Sequence, residues 1–283
     1  MGAPAGFVKA VRSAYTRRVL PGPCYIISDA HLGVAPRAAE LGLVAFLREA
    51  RLEAKSLVIN GDLFDFWFEW KRVIPRVGYR VLAEVAAFAD AGIPVVWVAG
   101  NHDCWGGEFL RRDAGVDYVL GPWRGEIAGW KVRVEHGDGL RGAADRRYRA
   151  VRPVLRNRLA IWAYRSLLHP DWASWLALGT SATSRTYSAA DHGEGLKQVA
   201  FGELGVDRSL DLLVFGHSHV PALVAAPSGG YYGNAGTWLG DSTYLRVDEA
   251  RAALYRWRAT DSVLLAEAPR SSLGGAREAP NER

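Results

Sequence analysis

Five short polar clusters in this chain combine the residue types that bind divalent metal ions. They are Asp29-Ala-His31, Gly61-Asp62-Leu-Phe-Asp65, Gly100-Asn-His-Asp103, His136-Gly-Asp138 and Gly216-His-Ser-His219. Five of the seven histidines fall inside these clusters, which histidines scattered through a core would not do. Carboxylates and imidazoles together suit divalent transition metals such as manganese, iron or zinc. Each cluster alone could be a turn, because glycine and aspartate are common turn residues, but five together predict a metal centre.

Each cluster follows a short apolar segment of the kind that predicts a buried strand. These segments are 24–28, 56–60, 94–99, 130–135 and 212–215. Apolar residues at helical spacing over 38–52 and 77–91 predict helices between the first three strands. The alternation favours an α/β fold with a parallel or mixed sheet covered by helices, in which sites form at the carboxyl ends of strands.

Length and composition limit the remaining possibilities. A chain of 283 residues fits one large domain, or one domain with an insertion. Two cysteines are too few for a disulfide framework, and no apolar run is long enough to predict a membrane-spanning helix. The net charge of +5 is compatible with anionic partners. We expect a basic lead-in over 1–21 without the apolar run of a signal peptide, a domain over 22–260 and a disordered tail over 267–283.

The five motifs, spread over about residues 24–247, resemble the signature of the calcineurin-like metallophosphoesterases. This resemblance implies a four-layer α/β/β/α sandwich that carries two divalent metal ions at one edge. It implies one metal ion bound by Asp29, His31 and His219, a second bound by Asn101, His136 and His217, and Asp62 as a bridge between them. Manganese is expected, and iron and zinc stay open.

The resemblance also implies roles for the residues beside the ligands. His102 would be a charge stabiliser or general acid, steered by Asp103. Asp65 would hydrogen-bond to a ligand or cap the next helix. A hydroxide bridging the two metals would attack phosphorus in line, and the metals together with His102 would stabilise the charge that develops.

The segment over 140–200 predicts a helical insertion, or lid, rich in arginine. Eight arginines lie between 141 and 166 against one acidic residue, and aliphatic and tryptophan residues are interleaved with them. A basic helix with an apolar face is typical of elements that bind membrane surfaces or acyl chains. Packing of that face on the domain itself is the alternative. Nucleic acid is not an expected partner, because aliphatic residues outnumber aromatic residues that could stack on bases.

The insertion and its flanking motifs resemble those of the UDP-2,3-diacylglucosamine diphosphatases of lipid A biosynthesis. This implies hydrolysis to UMP and the diacylated sugar 1-phosphate, by a peripheral protein on the cytoplasmic face of the inner membrane. Substrate contacts are implied for Asn101, Asp145, Tyr148, Arg185 and Ser188. His102 departs from that branch, whose best-known members carry arginine there. Two alternatives stay open: a two-metal hydrolase of nucleotides or nucleic acid, and a non-catalytic scaffold, against which the full ligand set argues.

Overall fold

The computed structural model describes residues 18–142, 145–174, 191–259 and 261–270. Its main helices are α1 (Arg37–Ala50), α2 (Tyr79–Asp90), α3 (Glu108–Arg112), α4 (Arg146–Leu155), α5 (Arg158–Leu167) and α6 (Glu194–Val206). Its strands are β1 (Val19–Leu20), β2 (Cys24–Ile27), β3 (Ser56–Asn60), β4 (Val95–Val98), β5 (Asp117–Val119), β6 (Trp123–Ile127), β7 (Trp130–Val134), β8 (Leu212–Phe215), β9 (Ala222–Ala225), β10 (Tyr231–Asn234), β11 (Thr243–Val247), β12 (Arg251–Trp257) and β13 (Ser262–Pro269).

The strands form two sheets that each combine parallel and antiparallel pairs. One has the order β13-β12-β11-β2-β3-β4-β5, with β2 to β5 parallel and β11 to β13 antiparallel. The other has the order β1-β6-β7-β8-β10-β9, in which β7, β8 and β10 are parallel. The parallel strands therefore place their carboxyl ends together in each sheet, where polar loops can meet.

Three apolar cores separate four layers. Between the sheets, alternate residues such as Ile26, Val58 and Val214 pack together. On the other face of the larger sheet, a second core joins strand residues to α1 and α2, and α6 packs on the smaller sheet through a third. Because the central strands are buried on both faces, they read as continuous apolar runs. The predicted four-layer α/β/β/α sandwich is confirmed.

The ordered fold is wider than the sequence predicted at both ends. Val19–Leu20 form β1 and pair in parallel with β6, so the end of the predicted lead-in belongs to the smaller sheet. At the other end, β13 pairs with β12 and places Ala268 in the core between the sheets. The domain therefore extends beyond the predicted end at 260 and past the predicted start of the tail at 267, and residues 271–283 of that tail lie outside the described residues. Short edge strands of this kind depend on distant partners, which local patterns do not reveal.

The predicted lid over 140–200 divides into two parts. Helices α4 and α5 form the inserted part. In contrast, α6 begins at Glu194 and packs on the smaller sheet through Leu196 and Ala200. The last residues of the predicted insertion are therefore part of the sandwich. Within the described ranges, no helix combines the length and the apolar composition that crossing a bilayer requires.

Candidate metal centre

The seven predicted ligands meet at the carboxyl ends of five strands. Asp29 and His31 follow β2, Asp62 follows β3, Asn101 follows β4, His136 follows β7, and His217 and His219 follow β8. Six of these residues and His102 form three overlapping groups. Within each group, one side-chain nitrogen or oxygen atom from each residue lies within 4.8 Å of the others. The groups are Asp29 with His31 and His219, His31 with Asp62 and His102, and Asp62 with His136 and His217.

Asp62 lies at the centre of the site. Its Oδ2 atom is 3.0 Å from Nε2 of His136 and 3.9 Å from Nε2 of His31. On the far side of His31, Nε2 of His219 is 3.1 Å from Nε2 of His31 and 3.3 Å from Oδ1 of Asp29. Asp62 therefore faces both predicted ligand sets, which is the position that a bridging carboxylate needs.

Asn101 supplies an independent sign that the cluster fits a cation. Its side-chain oxygen Oδ1 is buried, and no hydrogen-bond donor contacts it among the described residues. A buried carbonyl oxygen without a partner costs free energy, which coordination of a cation would offset. Imidazole nitrogens with carboxylate and amide oxygens form a donor set suited to manganese, iron or zinc. The residues present therefore fit the two metal ions that the sequence implied.

At most of the predicted ligands the backbone adopts a left-handed conformation that residues other than glycine rarely adopt. Asp29, His31, Asp62, His217 and His219 all have positive φ, between 44° and 63°. Residues other than glycine occupy this left-handed region in a few per cent of cases, and such strain concentrates at functional sites. Five of the seven predicted ligands share it, so the loops aim these side chains inward at a cost in backbone energy.

Two glycines allow the loops to approach one another closely. A Cβ atom on Gly100 would lie 2.1 Å from Oδ1 of Asp62, and one on Gly61 would lie 2.5 Å from Nδ1 of His136. Both distances are far below van der Waals contact. The Gly-Asp and Gly-Asn pairs in the motifs are therefore steric requirements of the site.

Hydrogen bonds from Nδ1 orient two of the predicted histidine ligands. Nδ1 of His31 lies 3.1 Å from Oδ1 of Asp65, and Nδ1 of His136 lies 2.9 Å from the carbonyl oxygen of Asn60. Because these oxygens accept, Nδ1 carries the proton in both rings and Nε2 faces the site as the available ligand atom. Of the two roles expected for Asp65, the structure shows the hydrogen bond to a ligand.

The structure corrects the relation between His102 and Asp103. Nδ1 of His102 lies 2.9 Å from the carbonyl oxygen of Asp65, and its Nε2 lies 3.9 Å from Oδ2 of Asp62. The Asp103 carboxylate instead accepts hydrogen bonds from the backbone N–H groups of Gly100 and Leu63 and from the Trp97 indole. Asp103 therefore braces the loops that carry Asp62 and Asn101, and the Asp65 backbone orients the His102 ring.

Burial and neighbouring charges shift the pKa values of several groups in the centre. Burial alone would raise the pKa of Asp62, but the charges of His136 and His102 outweigh it and hold that pKa well below its usual value. Burial lowers the pKa of His217 to about 4, which keeps this imidazole neutral, as a ligand must be. Burial and the nearby Asp62 charge raise the pKa of Asp103 to about 7.

Asp138 is a buried carboxylate that connects the lid to the loop of His136. No role was predicted for it from the sequence. Asp138, two residues after His136, accepts a 2.6 Å hydrogen bond from the Tyr148 hydroxyl. Its Oδ2 lies 3.7 Å from Arg152 and 3.6 Å from Arg156. The only signal in the sequence was its place in the cluster His136-Gly-Asp138, since its partners are identified by tertiary contact alone.

Other contacts hold the lid and its approach. The Trp105 indole donates to the Leu155 carbonyl oxygen at the end of α4, and Tyr164 of α5 packs on Phe68. The Asp145 carboxylate accepts hydrogen bonds from the backbone and the guanidinium of Arg141. Asp145 and Tyr148 are thus both engaged within the protein, and their substrate contacts stay predictions. Arg185 and Ser188 lie outside the described residues.

The lid exposes large apolar side chains. Four of them are between 62% and 76% exposed: Leu159, Trp162, Leu167 and Trp172. Exposed arginines of the lid include Arg149 on α4 and Arg158 on α5. Packing of the apolar face on the domain, the alternative considered from the sequence, therefore does not account for these residues.

Residues 22–221 match the family of calcineurin-like phosphoesterases, and the chain belongs to this family. As a member of this family with a cluster of residues that could hold metal ions, it is a metal-dependent hydrolase.

Several curated relatives share one name, UDP-2,3-diacylglucosamine hydrolase. The protein from Xanthomonas axonopodis pv. citri is 31% identical over 81% of this chain and 96% of its own length. That from Ralstonia nicotianae is 30% identical over 74% of this chain and 81% of its own length. That from Porphyromonas gingivalis is 38% identical over 57% of this chain, and the match spans 63% of that relative's length.

Proposed function

We propose that this protein hydrolyses the diphosphate bond of UDP-2,3-diacylglucosamine, giving UMP and 2,3-diacylglucosamine 1-phosphate. The observation that carries the proposal is the lid, a basic element with exposed apolar side chains that is anchored beside a two-metal centre. An acylated sugar diphosphate combines the two chemistries that these parts would bind. The relatives with this name in the family support the same substrate class.

The residues divide the work between holding cations and positioning the diphosphate. Asp29, His31 and His219 would hold one divalent cation, Asn101, His136 and His217 the other, and Asp62 would contact both. Two divalent cations supply Lewis acidity and bring a water molecule towards deprotonation near neutral pH; we propose manganese for this role.

We propose that His102 stabilises charge at the phosphorus centre. Its Nδ1 donates to the Asp65 carbonyl oxygen, so the ring is fixed with Nε2 on the side of Asp62. From there a protonated Nε2 would donate a hydrogen bond to an anionic phosphoryl oxygen. The arginine that the best-known members of the resembling branch carry at this position would also donate a hydrogen bond to a phosphoryl oxygen, from a longer side chain. Histidine would therefore fill the same role here.

Release of UMP tests the proposed reaction directly. Purified protein with manganese and detergent is given UDP-2,3-diacylglucosamine, and the same assay is run on His217→Ala and on His192→Ala, which changes an exposed histidine outside the centre. We expect release by the wild type and by His192→Ala and none by His217→Ala. Good turnover of a small phosphodiester without UMP release would reject the substrate and keep the metal chemistry.

We further propose that the lid holds the protein on the cytoplasmic face of the inner membrane, because its exposed apolar residues stand beside exposed arginines. Flotation with liposomes containing anionic lipid tests this with the double variant Leu159→Ser/Trp162→Ser. Val206→Ser is the control, because this residue of α6 is 88% exposed. Binding should fall about tenfold or more in the double variant alone. Equal binding of all three proteins would reject the membrane role.

A further inference from the structure

A surface cavity that adjoins the ligand loop of His31 along the chain has the chemistry of a nucleotide site. This cavity of about 600 Å³ begins at Gly33, two residues after the ligand His31. One wall is formed by residues 33–41 at the start of α1 and the other by residues 76–80 at the start of α2. We call this cavity the Tyr79 groove.

The Tyr79 groove carries an excess of positive charge. Arg37, Arg76 and Arg80 line it, against a single carboxylate, that of Glu40. None of the three guanidinium groups forms an ion pair with a described residue, whereas other arginines, such as Arg48, are paired with acidic side chains. Arginines that form no ion pair with the described residues and are gathered around one cavity are suited to bind a phosphate group.

The groove also offers a surface for a planar ring. Tyr79 is 58% exposed, and the Arg80 guanidinium lies 5.4 Å from the centre of its ring. Val77 and Leu41, both exposed, line the same cavity. An exposed aromatic ring next to arginine is the arrangement on which a nucleobase stacks.

The position of the groove relative to the lid agrees with a substrate made of two unlike halves. The lid is anchored by Asp138 and Trp105, which follow the ligands His136 and Asn101 in the chain. The groove instead begins just after His31, which belongs to the other ligand set. The lid and the groove thus adjoin different predicted ligand sets along the chain, as suits a substrate with two unlike halves.

We propose that the Tyr79 groove binds the nucleoside monophosphate half of the substrate, with the base against Tyr79 and the phosphate near Arg76 and Arg80. This inference rests on the proposed function for the identity of the nucleotide, UMP. The groove would contribute specificity and affinity, and its residues take no part in breaking the bond.

Inhibition by UMP tests the groove without the acylated substrate. Turnover of bis(p-nitrophenyl) phosphate is measured with rising UMP for the wild type and for Arg76→Glu/Arg80→Glu. The control is Arg72→Glu, which reverses an exposed charge on the same loop outside the groove. We expect the inhibition constant of UMP to rise about tenfold or more in the double variant only, since charge-assisted hydrogen bonds to phosphate are lost.

Inorganic phosphate separates nucleotide recognition from a general attraction of anions. Charge reversal at Arg76 and Arg80 should weaken the binding of both anions, whereas Tyr79→Ala should raise the inhibition constant of UMP and leave that of phosphate unaffected. An unchanged constant for UMP in the double variant, or an equal effect of Tyr79→Ala on UMP and phosphate, would overturn the proposal. Because the assay uses a small diester, it stays readable even if UDP-2,3-diacylglucosamine is not a substrate.

Discussion

The close approach of Gly100 to Asp62 gives a sharp test of how the metal centre is built. In Gly100→Ala, the new Cβ would lie 2.1 Å from Oδ1 of Asp62, 2.7 Å from its backbone nitrogen and 2.8 Å from Cγ. Two of these atoms cannot be cleared by a rotation of the terminal carboxylate alone. The loop after β3 or the loop after β4 must therefore move.

The size of the movement sets the size of the effect. Ordinary contact begins at 3.4 Å, so Oδ1 of Asp62 must retreat by about 1.3 Å from a Cβ placed at 2.1 Å. A displacement of about 1 Å in a positioned catalytic group can lower the rate about a hundredfold. Overpacking of this kind also lowers the free energy of unfolding by about 1–3 kcal/mol.

The assay combines turnover with metal content. We expect kcat/KM for a small phosphodiester to fall about a hundredfold in Gly100→Ala, with less than two metal ions bound per chain at a metal concentration that saturates the wild type. Gly121→Ala is the matched control, because among the described residues none except its chain neighbours lies within 4 Å of its added Cβ. Near-normal turnover and full metal content in Gly100→Ala would refute the argument that this contact positions Asp62.

Four further changes probe the site and its surroundings. Asp62→Ala should abolish turnover and remove both metal ions, because this carboxylate faces both ligand sets; retention of two ions by elemental analysis would contradict a bridging role. His102→Ala should lower turnover about a hundredfold and keep the metals, and loss of metal would make it a ligand. Asp138→Asn leaves Arg152 and Arg156 without their buried partner, so kcat/KM should fall about tenfold for the acylated substrate and little for a small diester; equal losses would argue against a lid-specific effect. Chelation should lower the melting temperature and added manganese restore it, since a cation at a thousand times its dissociation constant stabilises by about 4 kcal/mol; an unchanged melting temperature would mean that the fold gains nothing from the metals.

The sequence predicted the strands in which a buried apolar run is followed directly by a polar loop. The apolar strands that precede Asp29, Asp62 and His217 could be recognised because buried parallel strands are apolar on both faces and end abruptly in polar loops. Gly92, just after α2, has the positive φ expected of a glycine that ends a helix. These features depend on a few neighbouring residues, so they are visible without coordinates.

Features that depend on distant partners could not be predicted. The strand β1 has only two residues, and its pairing with β6 joins segments more than a hundred residues apart. Asp103 stands next to His102 in the sequence, yet its carboxylate points to the backbone of two loops. Their adjacency in the chain suggested that the two side chains contact each other, whereas the fold of the loop after β4 directs them to different neighbours.

The left-handed backbone of the ligand loops has a consequence for how this fold diverges. Each such residue costs of the order of 1–3 kcal/mol, against a total stability of about 5–15 kcal/mol for a typical domain. Glycine at Asp29, Asp62 or His217 would relieve that cost and at the same time remove a ligand. A descendant released from selection for catalysis would thus relieve backbone strain in its metal-free form as it lost the ability to bind metal. The sandwich could then persist as a scaffold whose former site is marked by glycines in place of its ligands.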